Sequence, residues 1–235
     1  MRDLTTMLWK EFAEAFGNPR TLRVFALAVL LMGLLPELGA LRGKVTPLAL
    51  LLDLFYTVFA GVIMVAQTAP DLVLRERTGR TLEYLLATRL ADSAVFGGKI
   101  VVSALFGYVS SLLAICVQLV VMNVVAHHGG WTWAYLAQPQ GRLIAFALPA
   151  VLVFYEATIG TFVALRVGEQ RTAYLVTVLG VGVLALPLLL HLVHPHLTMA
   201  WLSKAVGAIA LVAAVVVAIG LRLFRREHLV LYLQE

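Results

Sequence analysis

Six long apolar runs, at 24–41, 48–69, 100–126, 143–165, 173–192 and 199–221, constrain this chain more than any other feature of it. A helix needs ~20 apolar residues to cross the hydrocarbon core of a bilayer, and each run is close to that or longer. With 61% of residues hydrophobic and 13% charged, the chain is too apolar to cover itself with polar surface in water. The expectation is an all-α membrane protein of six transmembrane helices, forming a single transmembrane domain over 1–235. Pro36 and Glu37 near the outer end of the first run would let it break there.

Basic residues set the orientation. Place the N-terminus in the cytoplasm, and the inner segments hold Arg2, Lys10, Arg20, Arg23, Arg75, Arg77, Arg80, Arg89, Lys99, Arg166, Arg171, Arg222, Arg225 and Arg226. The outer connections keep only Arg42, Lys44, Arg142 and Lys204. By the positive-inside bias both termini, including the tail 222–235, belong inside. The formal charge of +5 follows from that bias and from attraction to anionic lipid, so nucleic acid is not expected as a partner. The mixed charge of the first fourteen residues does not suit a signal peptide. Cys116, the single cysteine, is expected as an inert buried thiol.

Segments outside the runs carry the rest. Residues 1–21 hold an amphipathic helix, with Leu4, Met7, Leu8, Phe12, Ala15 and Phe16 on one face at helical spacing and Glu11 intruding on it. Such a helix lies along a membrane surface until Asn18-Pro19 turns the chain inward. The connection 70–99 is charged, with a short helix expected at 80–89 whose Leu82, Leu85 and Leu86 form an apolar stripe. Gly79 and Thr81 suit its start. Asp92 or Ser93 can cap the third span. A helix this short needs a surface to pack on, either its own subunit and lipid or a partner's groove. Trp131, Trp133 and Tyr135 fit an interfacial aromatic belt on the outer side.

Two stretches resemble the permease subunits of ABC-2-type ABC transporters. One is Trp9-Lys10-Glu11-Phe12 followed by Asn18-Pro19-Arg20. The other runs from Arg75-Glu76-Arg77-Thr78-Gly79-Arg80-Thr81-Leu82-Glu83-Tyr84-Leu85-Leu86-Ala87-Thr88-Arg89 to Gly98-Lys99. It is similar to the family's ER-x-x-G-T-L-E-x-L-L-x-(T/S)-P…GK pattern, although Arg80 interrupts the Gly-Thr pair and Arg89 stands where proline is common. The resemblance implies a type V exporter-like fold, with a cytoplasmic coupling helix between the second and third spans. It implies docking on separate ATPase subunits through Arg75, Glu76, Gly79, Thr81, Leu82, Glu83, Leu85 and Leu86, and pairing with a second permease copy or a paralogue. It points to the inner membrane of a bacterium. This chain has no phosphate-binding loop of the GxxxxGK[ST] kind, so no catalytic residue or cofactor is expected in it; ATP and Mg belong to the partner.

Glu156 and Tyr155 in the fourth run are candidates for a translocation path or a subunit interface; a structural, hydrogen-bonded carboxylic acid is the other reading of Glu156. Asp53 lies nearer water. His191, His194 and His196 are at a spacing that could ligate a metal or haem, but Pro195 breaks their helix, and interfacial histidines are the plainer reading; no metal is expected. These histidines motivate the alternative of a haem-exporter-type permease. A membrane scaffold or sensor without transport is the other alternative. A secondary transporter would be expected to show paired broken helices. The topology has a direct check. In a chain lacking Cys116, Thr78→Cys, Gln138→Cys, Gln170→Cys and Gln234→Cys are introduced singly. In intact cells an impermeant maleimide should label only the Gln138→Cys variant; labelling at position 78 would reverse the orientation.

Overall fold

A computed structural model describes residues 2–40, 47–79, 92–125, 136–167, 169–192 and 199–223, and among these every regular element is helical. The helices are α1 (Arg2–Gly17), α2 (Pro19–Ala40), α3 (Pro47–Thr78), α4 (Asp92–Val125), the short α5 (Pro139–Arg142), a π-helical segment (Leu143–Ala147), α6 (Leu148–Arg166), α7 (Gln170–Leu192) and α8 (Met199–Leu223). Four stretches are long and apolar enough to cross a bilayer: Leu52–Thr78, Ala94–Asn123, Pro139–Arg166 and Ala200–Gly220. The bent pair α1–α2 makes a fifth if it is one span. The described apolar part of α7, Gln170–Leu186, is shorter. The chain is therefore a multi-pass membrane protein of the all-α class.

Helix ends differ from the hydropathy boundaries. Hydropathy ends the second span at 69, yet α3 runs on through Pro70 to Thr78. Hydropathy begins the third at 100, yet α4 starts at Asp92. Charged residues mark where apolar runs stop, but helix continues as long as backbone hydrogen bonds and packing support it. The connection between these helices thus narrows to 79–91. Thr81, Leu82, Glu83, Leu85 and Leu86 lie outside the described residues, as do Trp131, Trp133, Tyr135, His194 and His196. Cys116 is exposed rather than buried. It continues an outward stripe of α4 that includes Leu105, Val109 and Leu113, where a lipid-facing chain tolerates a small, weakly polar thiol.

Asn18 and Pro19 build the elbow. The two helices meet there at 78°. The Asn18 side-chain oxygen accepts from the Arg20 amide at 3.1 Å, and its amide group donates to the Thr21 hydroxyl at 2.6 Å. Pro19 supplies the fixed φ suited to a first helical position. A second proline explains the π-helical segment. The Pro149 ring would clash with the carbonyl four residues back, Ala145, and the wider π turn at Leu143–Ala147 relieves that crowding.

The centre of the bundle is α3, packed along α4 and α6, with α2 against α3 and α4, and with α7 and α8 on the α6 side. Close approach of α3 and α4 relies on small and hydroxyl residues, as is usual where lipid supplies no hydrophobic drive. The Gly61 amide donates to the Ser111 hydroxyl at 3.1 Å, which donates to the Val58 carbonyl at 2.9 Å. A Cβ on Gly61 would sit 2.5 Å from the Gly107 carbonyl oxygen, and backbone cannot step aside as a side chain can. Gly61→Ala should therefore destabilise the bundle by about 1–3 kcal/mol. Gly182→Ala, where nothing lies within 4 Å of the new atom, should not. Thermal unfolding of both variants in detergent checks this; equal midpoints would remove the argument for close contact.

Candidate functional site

The structure gathers charged groups of α1, α3 and α4 at one end of the bundle. On α1, Met7, Glu11 and Ala15 fall on one side and are all buried. Glu11 is thus no flaw in an apolar face, because that face docks on α4. Lys99 from α4 reaches into the same space with 3% of its side chain exposed. Its ammonium has three protons to place. It lies 2.8 Å from Glu11, 2.8 Å from Glu76 of α3, and donates to the Leu72 carbonyl at 3.1 Å. Lys10 on the next side of α1 also binds Glu76, and it lies 3.4 Å from Glu11 and 3.3 Å from Glu14. Arg77 donates to the Ala164 and Leu165 carbonyls at 3.4 and 3.2 Å, which ties the end of α6 to the same corner.

Three carboxylates and two ammoniums leave one negative charge in excess. Burial, the main cause, pushes the Glu11 carboxyl above its usual range; nearby Glu76 adds to the push and Lys99 pulls against it. For Lys10 burial lowers the value, but the carboxylates of Glu76, Glu11 and Glu14 outweigh it and raise the amine above its ordinary range. Glu11, Glu14 and Glu76 come close enough together to suggest a metal, but Lys10 and Lys99 already provide the cationic partners among them.

Other sequence candidates fall in several places. Arg75 is exposed and paired with Asp71 one turn back at 2.7 Å, and Gly79 is exposed as well. Glu76 faces inward and is only 3% exposed, so its carboxylate serves the chain's own interior. Glu156 is fully enclosed by the bundle, and neither of its oxygens has a hydrogen-bond partner among the described residues. Tyr155 is also buried, its hydroxyl 3.5 Å from the Gly180 carbonyl. Neither residue is on the outer surface in this conformation. Asp53 is partly buried near the start of α3. His191 falls within α7.

Sequence reasoning missed Lys10 and Lys99 as partners of Glu11. A signal was present: a carboxylate set into an otherwise apolar helical face must find a counter-charge if that face is buried. No protein-family model matches this sequence, and no curated protein matches it.

Removing one member of a buried ion cluster strands the others, at a cost of about 3–5 kcal/mol. Lys99→Met should destabilise the fold in detergent by an amount of that order, read as a lowered unfolding midpoint, and adding Glu11→Gln and Glu76→Gln should recover much of it. Glu11→Gln alone should cost less than Lys99→Met, since the amide oxygen can still accept from Lys99 and Glu76 remains beside that ammonium. The folded-state value of Glu11 lies above the unfolded one. Its contribution to stability is therefore fully present below the ordinary carboxyl range and is lost as pH rises through the raised value. Glu11→Gln should flatten that part of the pH–stability curve, and an unchanged slope would show that Glu11 does not carry the proton.

Proposed function

We propose that this chain is the membrane subunit of an ATP-driven exporter of the ABC-2 kind, which forms the translocation path and takes its power from a separate ATPase. One observation carries the reading. The two stretches that resemble this family are far apart in sequence, yet their charged residues meet in space: Lys10 and Glu11 of the first, Glu76 and Lys99 of the second. Chance likeness in two places gives no reason for them to meet in one buried cluster.

In this reading the segment 80–89 is the coupling helix, carried between the ends of α3 and α4. Leu82, Leu85 and Leu86 fill a groove of the ATPase, with Glu83 at the rim and Arg75 and Gly79 on the exposed approach. Closure of the ATPase pair around ATP and Mg pushes on this segment. Because Glu76 and Lys99 stand on either side of it, and Lys99 binds both Glu76 and Glu11, the push moves α1, α3 and α4 as one body. Six helices cross the inner membrane of a bacterium, both termini lie inside, and a second copy or a paralogue completes the path. Glu156 is the interior polar group that an opened path would expose. The chain itself performs no covalent chemistry.

Affinity purification of the solubilised protein from its own host is expected to bring down a P-loop ATPase, identifiable by mass spectrometry. Burying a leucine is worth roughly 1.5–3 kcal/mol, so Leu82→Ala with Leu86→Ala should cost several kcal/mol of docking and most of the retained ATPase. The variant should still run as a single peak in gel filtration. Undiminished retention would mean that 80–89 is not the docking helix, and absence of any ATPase from the wild-type preparation would overturn the reading.

A further inference from the structure

Glu156 sits near the middle of α6 with nothing to bond. Its side chain is fully enclosed, and both carboxyl oxygens lack a hydrogen-bond partner among the described residues. Residues one turn away on the same face of α6 show what encloses it. One turn before it, the Val153 Cγ1 would lie 2.9 Å from a Cβ on Gly61, which sets that face against α3. One turn after it, a Cβ on Gly160 would lie 3.0 Å from the Ala69 Cβ and 3.2 Å from the Thr177 Cγ2, so the face continues along α3 and onto α7. Glu156 falls between these two positions, where α6 is closed by α3 and α7.

A buried carboxylate needs donors or a cation, and among the described residues neither reaches it. A hydroxyl has one proton to donate. Thr158 and Thr161 of α6 donate theirs to the Phe154 and Ala157 carbonyls at 2.9 and 2.7 Å, and Thr177 of α7 donates to the Ala173 carbonyl at 2.7 Å. The charged groups on the helices packed against α6 lie toward helix ends. They are Asp53 near the start of α3 and Asp71, Arg75, Glu76 and Arg77 near its end, with Asp92 and Lys99 in the first turns of α4. Arg171 and His191 lie at the two ends of α7, and Lys204 and Arg222 near those of α8. None of the described side chains among them, nor the phenols of Tyr56, Tyr108 and Tyr174, bonds to Glu156. The acidic groups close enough to share a metal ion are Glu11, Glu14 and Glu76, and Glu156 is not among them. An acid that makes no bond is also poor structural glue, since an apolar side chain of the same length would pack there at less cost. An ionisable group placed this way inside a membrane bundle marks function.

The two ends of α6 are held differently. Near the ion cluster, Arg77 clamps the Ala164 and Leu165 carbonyls. At the other end the helix begins in the π-helical segment and Pro149, a backbone irregularity of the kind that recurs at functional sites. Toward that end the Tyr155 hydroxyl reaches the Gly180 carbonyl of α7 only at 3.5 Å. We propose that Glu156 is a proton-binding site: a neutral carboxylic acid while α6 lies on α3 and α7, and a carboxylate once that half of α6 swings away and water enters. Each opening then releases one proton, and each closing takes one up. The opening is the one that the exporter reading requires of the path, and the site rests on that reading only for what drives the movement.

The test uses the full chain in lipid nanodiscs and two readouts. The infrared spectrum of wild type minus that of Glu156→Gln, at neutral pH, should show the carbonyl band of a protonated carboxyl and no carboxylate bands. Amide hydrogen exchange of peptides from 148–166, divided by the intrinsic rate, reports the opening of α6. If one proton leaves at each opening, the open population should rise about tenfold per pH unit in wild type. Glu156→Gln should remove that slope, and Glu156→Asp should keep it. Peptides of α1 report the Glu11 cluster separately. If Glu156→Gln yields little folded protein, Glu156→Met, which also cannot titrate, carries the same arm. Carboxylate bands in the difference spectrum overturn the proposal. So does an opening of α6 that is independent of pH in wild type, or a slope that survives in Glu156→Gln or Glu156→Met. No ATPase takes part in these measurements, so its absence from purified preparations would overturn the exporter reading and leave the proton site standing.

Discussion

A single ammonium group, that of Lys99, holds one end of the helix bundle together. It is buried among helices from three parts of the chain, and a charge in such a place is tolerable only if it is surrounded by acceptors. Glu11, Glu76 and the Leu72 carbonyl provide them. Each acceptor comes from α1 or α3, so the position of α1 on the bundle, the depth of α4 and the end of α3 are set together. Hydrophobic packing alone would allow α1 to slide along α4. Point charges at 2.8 Å do not.

The aromatic cluster at the other side of α1 is the complement of that ion cluster. Phe12 and Phe16 stack at 4.6 Å and lean on Phe106. One flank of the helix is fixed by directional, short-range electrostatics and the other by broad apolar contact. Such a helix can be carried as a rigid part by the helices it touches. It has little freedom to move by itself, as the proposed coupling to a separate ATPase would require.

Hydropathy made the helical class and the places of the crossing helices legible, because lipid imposes a simple length rule. It misjudged where α3 and α4 end. Arg75, Glu76 and Lys99 look like loop residues in a window of hydropathy, yet all three are helical and two are buried. The ion cluster was legible only as an oddity, Glu11 in an apolar face. Its partners are 66 and 88 residues away from the α1 residues they meet, beyond any local period. The exposure of Cys116 went unread for a related reason: in a membrane span, apolar surroundings do not mean an interior position. The resemblance to a transporter family singled out Glu76 as part of a docking surface, and the structure places its carboxylate inside the chain, beside Lys99.

The reach of the Glu11–Lys99 pair has a consequence for how the protein is made. When α1 leaves the ribosome it bears a carboxylate whose buried partner, Lys99, comes 88 residues later. At roughly 5–20 residues per second, that gap is on the order of ten seconds of translation. Throughout it α1 has no α4 to close upon. It must wait on the membrane face with Glu11 turned to water, while its apolar side keeps it from drifting away. Assembly of this corner therefore cannot precede the arrival of one lysine.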